Sequence, residues 1–262
     1  MAGTSYLTLL APAFSGSGEY TLMNASGTAN TFGPWTQIGT LPPYKTNRLL
    51  LTGRPDNNNT SQSGLINIGV GPSGSQQILI PNLLVNAITG FGGPPLNPMF
   101  PIKMPPGEDI WAQYSIPSTS VDNYEIGGLA WCEHGDEIEE IIPYVDAAAS
   151  QGFSVALSAS GAWGPVTLSS STSRSRKYIF AFTNLGEPGS YISASLSLSV
   201  GSQVIFPALV CYISNGGNGT VTTPTYYGPY DCIIPEGQTL TASGYASIGA
   251  ATSIQIAFYG LN

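Results

Sequence analysis

The sequence predicts an all-β protein built as two tandem, homologous β-sandwiches of jelly-roll-like topology. Three observations predict it. A series of short motifs occurs twice in the same order, short runs of apolar/polar alternation end in Gly or Pro, and helical periodicity is nearly absent.

The repeated motifs are read along the chain. Thr21–Gly27 (TLMNASG) returns as Val155–Gly161 (VALSASG), and Phe32–Thr36 (FGPWT) returns at Trp163–Thr167 (WGPVT). Ser75-Gln76 followed by Ile78–Pro81 returns as Ser202-Gln203 followed by Val204–Pro207. Met104-Pro105-Pro106-Gly107 with Ile110 returns as Ile234-Pro235-Glu236-Gly237 with Leu240. The repeat is much longer than a solenoid or propeller unit, so each copy can close its own core. The expected domains are residues 1–131 and 132–262, with an acidic connector at about 133–146.

Individual elements follow from local pattern. Leu65–Val70 and Leu196–Val200 alternate as half-buried strands. Each leads through a Gly-Ser-Gln turn into a short apolar run that is expected to stop at Pro81 or Pro207, where proline removes a ladder donor. Gly90–Pro98 and Asn215–Pro224 read as loops, and Tyr226, Tyr227 and Tyr230 as part of the second of these. Pro105-Pro106-Gly107 and Pro235-Glu236-Gly237 fit tight turns, with Gly supplying a positive φ. Asp109–Ser115 and Thr239–Tyr245 alternate again, and Tyr124–Trp131 and Ser253–Tyr259 read as last strands. In Asp136–Ala149 the isoleucines stand at helical spacing, but Pro143 and comparison with Ser5–Ala13 favour a strand leading into the second copy.

Composition limits the function. Charged residues make up 8% of the 262, while 32 Gly and 21 Pro accompany a 10% aromatic content, which suits a folded, loop-rich protein with a hydroxyl- and amide-bearing surface. A net charge of −8 argues against nucleic acid, whose phosphates need clustered cations. Arg174, Arg176 and Lys177 form the one basic group, read as solvent-exposed. No apolar run approaches the length of a membrane span, so membrane insertion is not expected, and Met1–Phe14 lacks the basic start of a secretory signal. Cys132, Cys211 and Cys232 have no metal-site spacing. Buried free thiols are expected, with pairing of Cys211 and Cys232 across strands left open.

Catalytic material is sparse, and an enzyme is not expected. His134 is the sole histidine, and the copy-one carboxylates Glu108, Asp109, Asp122 and Glu125 are matched in copy two by uncharged residues such as Gln238, Thr239 and Gln255. No cofactor is implied. Six of the fifteen acids fall within 133–146, which raises a divalent-cation site at Asp136, Glu137 and Glu140, although calcium-loop spacing is missing and a solvated connector is the simpler expectation. Tyr226, Tyr227 and Tyr230, with Phe91 and Phe100 in copy one, are candidate aromatics for glycan stacking or for a cap or subunit interface.

The run Leu65–Val85 followed by Pro101–Gly107 resembles a family of tailed-bacteriophage virion proteins. There a Trp-Thr opening, a D/N-IGVGxxGS-E/Q hairpin and an FPIxIPxG turn recur in this order, and Trp35-Thr36, Asn67–Gln76 and Phe100–Gly107 carry the likeness. Copy two departs from it: Trp163 stands early relative to Thr167, and the hairpin turn shrinks to Gly201-Ser202-Gln203. The resemblance implies a structural component of the virion surface, either a tail fibre, spike or adaptor or a capsid decoration protein or head fibre. It further implies a homo-oligomer among other virion proteins, threefold by analogy. A carbohydrate-binding module recognising a host surface glycan is the alternative.

Overall fold

The computed structural model describes residues 8–10, 20–56, 63–86, 98–119, 123–135, 137–144, 153–184, 192–214, 224–249 and 251–262. These residues form eighteen strands and no helix. The first nine are β1 (Thr8–Leu10), β2 (Thr21–Asn24), β3 (Thr36–Thr40), β4 (Arg48–Asp56), β5 (Ser63–Val70), β6 (Gln77–Asn86), β7 (Met99–Phe100), β8 (Asp109–Ser115) and β9 (Asn123–Trp131). The second nine are β10 (Ile141–Pro143), β11 (Phe153–Leu157), β12 (Gly161–Ser169), β13 (Ser175–Asn184), β14 (Ile192–Val200), β15 (Gln203–Ser214), β16 (Thr225–Ile234), β17 (Leu240–Ile248) and β18 (Thr252–Leu261).

Each set of nine builds the same two antiparallel sheets. One runs β1-β9-β4-β7 with β2 also on β9, and its counterpart runs β10-β18-β13-β16 with β11 also on β18. The other runs β3-β8-β5-β6 and is matched by β12-β17-β14-β15. Apart from β1/β2 and β5/β6 and their counterparts β10/β11 and β14/β15, successive strands alternate between the two sheets of a sandwich, which is the jelly-roll arrangement. The Pro-Gly turns match as well. Gly107 (φ 75°) and Gly237 (φ 73°) hold left-handed conformations that suit glycine, and their N–H groups donate to Pro42 and Thr172 carbonyls at 2.9 and 2.7 Å.

Four expectations need correction. The strands after the Gly-Ser-Gln turns do not stop at proline: β6 runs through Pro81 and β15 through Pro207. Both are edge strands, and both carry a register shift there, between Ile66↔Leu83 and Ile68↔Ile80 in one and Leu196↔Leu209 and Leu198↔Phe206 in the other. A bulge on an edge absorbs the missing donor. In β6 the Asn67 Oδ1 accepts the Asn82 N–H at 2.8 Å, and Asn82 sits at φ 51°.

The three tyrosines form the second correction. They lie on β16, paired with β13, because alternate rings of this polar-looking segment find aromatic partners in the second core. Third, Cys232 on β16 is a free thiol as expected but half-buried rather than buried, and it stands in a different sheet from Cys211 on β15. Fourth, the segment leading into the second half is a strand as expected, yet no solvated tether. Ile138 is buried in the first core and bridges Ile102 in parallel, and β10 pairs with β18.

The core of the first sandwich extends onto one face of the second. Ile179, Ala181, Ala257, Tyr259 and Leu261, on the outward face of β13 and β18, are buried in one cluster with Leu49, Ile68 and Leu84 of the first sandwich. The equivalent outward face of β9, at Glu125, Leu129 and Trp131, is half-exposed.

Candidate functional site

Of the sequence-selected aromatics that are described, Phe100 is buried and Tyr226, Tyr227 and Tyr230 are half-buried. Phe100 is fully buried in the first core, on β7 beside Leu49 of β4, and Phe91 lies outside the described residues. Tyr227 stacks on Phe180 at 4.9 Å and 17°, while Tyr230 packs against Tyr178 at 5.3 Å and Phe206 at 5.4 Å. Tyr178 at the centre of this set is pushed up to about 12 by burial, with Cys232 and Tyr230 adding to it.

Tyr226 turns the other way, into the seam between the sandwiches. Its hydroxyl donates to the Leu84 carbonyl at 2.7 Å. Tyr259, on β18, donates to the Asn82 carbonyl at 2.6 Å and accepts the Leu84 N–H at 3.2 Å. The free edge of β6 is therefore capped by two phenols from the second sandwich, which satisfies groups that an edge strand leaves open. Burial holds both phenols well above the usual tyrosine range. Tyr259 carries no sequence signal for this role, since it reads as one more residue of an apolar strand.

The acidic connector is clasped by the chain's own cations. Lys45 pairs with Glu137, Arg48 with Glu133 at 3.0 Å and Lys103 with Glu139 at 3.2 Å, while Arg176 of the expected solvent-exposed basic group donates to the Glu137 carbonyl at 3.3 Å. Asn47 adds reciprocal bonds, its amide to the Glu133 carbonyl and its oxygen from the Glu133 N–H, both at 2.8 Å. The hydrogen bond from Lys45 holds the Glu137 carboxyl below the usual carboxylate range. Of the three residues raised as a cation site, Asp136 lies outside the described residues, Glu137 is engaged by Lys45, and Glu140 is exposed with its backbone bonded to Asn262. Among the described residues no three His, Cys, Asp or Glu side chains gather as for a metal ion.

The catalytic candidates are also placed. His134 is exposed on the connector, Asp109 accepts the Thr40 hydroxyl at 2.7 Å, and Glu125 pairs with Arg54. Asp122 lies outside the described residues.

By strand order and core the chain is defined as an all-β protein of two jelly-roll-like sandwiches. No protein-family model and no curated protein matches it. Among solved structures it is similar to the N-terminal CBM22-1-CBM22-2 tandem domain from Paenibacillus barcinonensis Xyn10C, at 9% identity and TM-score 0.29, covering 99% of this chain and 91% of that one. It is also similar to infectious bursal virus derived T=1 particles, at 11% identity and TM-score 0.24, covering 98% and 68% of the two chains. The infectious bursal disease virus Gt strain structure follows at 14% identity and TM-score 0.25, covering 98% and 70%.

Proposed function

We propose that this chain is a non-enzymatic structural protein of a bacteriophage virion surface, a tail fibre, spike or adaptor or a capsid decoration protein or head fibre. It works as a symmetric homo-oligomer among other virion proteins, with a trimer expected by analogy. Residues 1–131 and 132–262 are taken as two copies of one domain. The observation that carries the reading is the edge hairpin of β5 and β6, which bears the Asn67–Gln76 motif of the phage resemblance. Its second strand exposes Ile78 at 54%, and Val204, the matching residue on edge strand β15, is 61% exposed. An apolar side chain repeated at the rim of an edge strand favours coverage by a neighbour in an assembly. Tyr226, Tyr227 and Tyr230 are half-buried and are assigned to packing within the chain, Tyr226 through its hydroxyl and Tyr227 and Tyr230 through their rings.

Immunogold electron microscopy of purified particles, with an antibody against this chain, tests the reading. Label on the head supports a decoration or head-fibre role, and label at the tail supports adsorption. Intact particles without label, in a preparation where the antibody recognises the purified chain, reject it.

A further inference from the structure

The outer face of β14 and β17, the two central strands of the β12-β17-β14-β15 sheet, is paved with hydroxyl groups, flanked by Ala162 on β12 and Val204 on β15. On β14 the residues Ala194, Leu196, Leu198 and Val200 are buried, so Ser193, Ser195, Ser197 and Ser199 point outward. On β17, Leu240, Ala242 and Ala246 are buried, and Thr241, Ser243, Tyr245 and Ser247 share the outer face. Antiparallel register sets Ser199 beside Thr241, Ser197 beside Ser243, Ser195 beside Tyr245 and Ser193 beside Ser247. The result is a grid, roughly 5 Å between strands and roughly 7 Å along them. It holds seven hydroxyl residues and one tyrosine ring, 58% exposed. The flanking β12 positions opposite Tyr245 and Thr241 are Ala162 and Thr167, so charge is absent there too. Ser195 Oγ is engaged by the neighbouring strand, accepting the Tyr245 N–H at 3.1 Å and donating to the Tyr245 carbonyl at 3.5 Å. The hydroxyls of Ser197, Ser199, Thr241 and Ser243 have no partner within the protein among the described residues.

The equivalent face in the first sandwich has a different fate. There Leu65 and Asn67 of β5 and Trp111 and Ser115 of β8 occupy the matching positions and are buried. The fold thus closes this face in one copy and leaves it open and polar in the other.

We propose that the open face binds a neutral polysaccharide, with Tyr245 stacking on a sugar ring and the Ser197, Ser199 and Ser243 hydroxyls bonding along the chain. Each hydroxyl both donates and accepts, as sugar hydroxyls do, and the ring offers an apolar surface beside them. A polyanion finds no cation on this grid. An apolar peptide would bury its hydroxyls without partners, which is costly. This site concerns the isolated chain and stands whether or not the protein is carried on a particle.

Affinity electrophoresis of the full chain through gels containing dextran, hydroxyethyl cellulose or galactomannan, with alginate as the anionic comparison, tests the proposal. The expected result is retardation by at least one neutral polymer and none by alginate. Tyr245→Ala should weaken apparent affinity at least tenfold, as should Ser197→Lys, with circular dichroism and unfolding midpoints close to wild type. No retardation in any neutral gel overturns the proposal, as does a Tyr245→Ala protein retarded like wild type. Retardation unchanged while sedimentation shows Tyr245→Ala or Ser197→Lys to be a smaller species also overturns it, making the face a contact between copies.

Discussion

Tyr259 serves two backbone groups with one oxygen, accepting the Leu84 N–H and donating to the Asn82 carbonyl, whereas Tyr226 serves only the Leu84 carbonyl. A buried backbone group stripped of its partner keeps its full desolvation cost with no hydrogen bond to offset it. Tyr259→Phe should therefore destabilise the protein by about 2–4 kcal/mol and Tyr226→Phe by about 1–2 kcal/mol. The double variant should fall short of or exceed the sum, because both phenols act on Leu84. Urea unfolding of the three variants checks this, and equal losses for the two single variants would count against the shared-cap geometry. Asn82 offers a separate residue-scale case. Its φ of 51° suits Asn or Gly, so Asn82→Gly should cost little while Asn82→Val should cost about 1–3 kcal/mol, read in the same assay.

Among the elements, the connector shows best what local sequence can and cannot convey. Its acids and its extended character are visible directly, but Lys45, Arg48, Lys103 and Arg176 come from separate strands or loops and converge only in three dimensions. Ile138 looks like one apolar residue in a charged run, yet it is buried beside Ile102. Exposed ion pairs contribute little, so the burial dominates. Ile138→Ala should cost about 2–4 kcal/mol and increase proteolytic cleavage near residue 138, while Lys103→Ala should change stability by less than about 1 kcal/mol. Limited proteolysis and urea midpoints separate the two, and a silent Ile138→Ala would return the connector to a simple tether. The strands beside Gly107 and Gly237 were readable because a Pro-Gly turn has local chemistry. The course of β6 past Pro81 was not, since it depends on a bulge in the pairing with β5 and on Asn67, fifteen residues away.

At the scale of the whole molecule, duplicated motif order made two similar sandwiches legible, whereas their docking was not. The contact joins Leu84 to Tyr226 and Asn82 to Tyr259 across 142 and 177 residues, and no periodicity encodes a hydroxyl meeting an edge carbonyl. The same docking makes the molecule sensitive to alkali. Burial raises the phenols of Tyr124, Tyr144, Tyr178, Tyr226 and Tyr259, two of which hold the seam. A raised acid pKa in the folded state means that the unfolded chain releases these protons first as pH climbs. Their contribution is therefore complete below the unfolded tyrosine value of about 10 and declines above it. Stability should fall steeply from about pH 10 upward, with the near-ultraviolet phenolate signal of the buried rings rising together with loss of tertiary circular dichroism. Tyr259→Phe should move that transition to lower pH by weakening the seam, even though it removes one titrating phenol. Phenolate formation by all fourteen tyrosines around the unperturbed phenol value of about 10, in a protein that keeps its tertiary signal, would refute the buried seam.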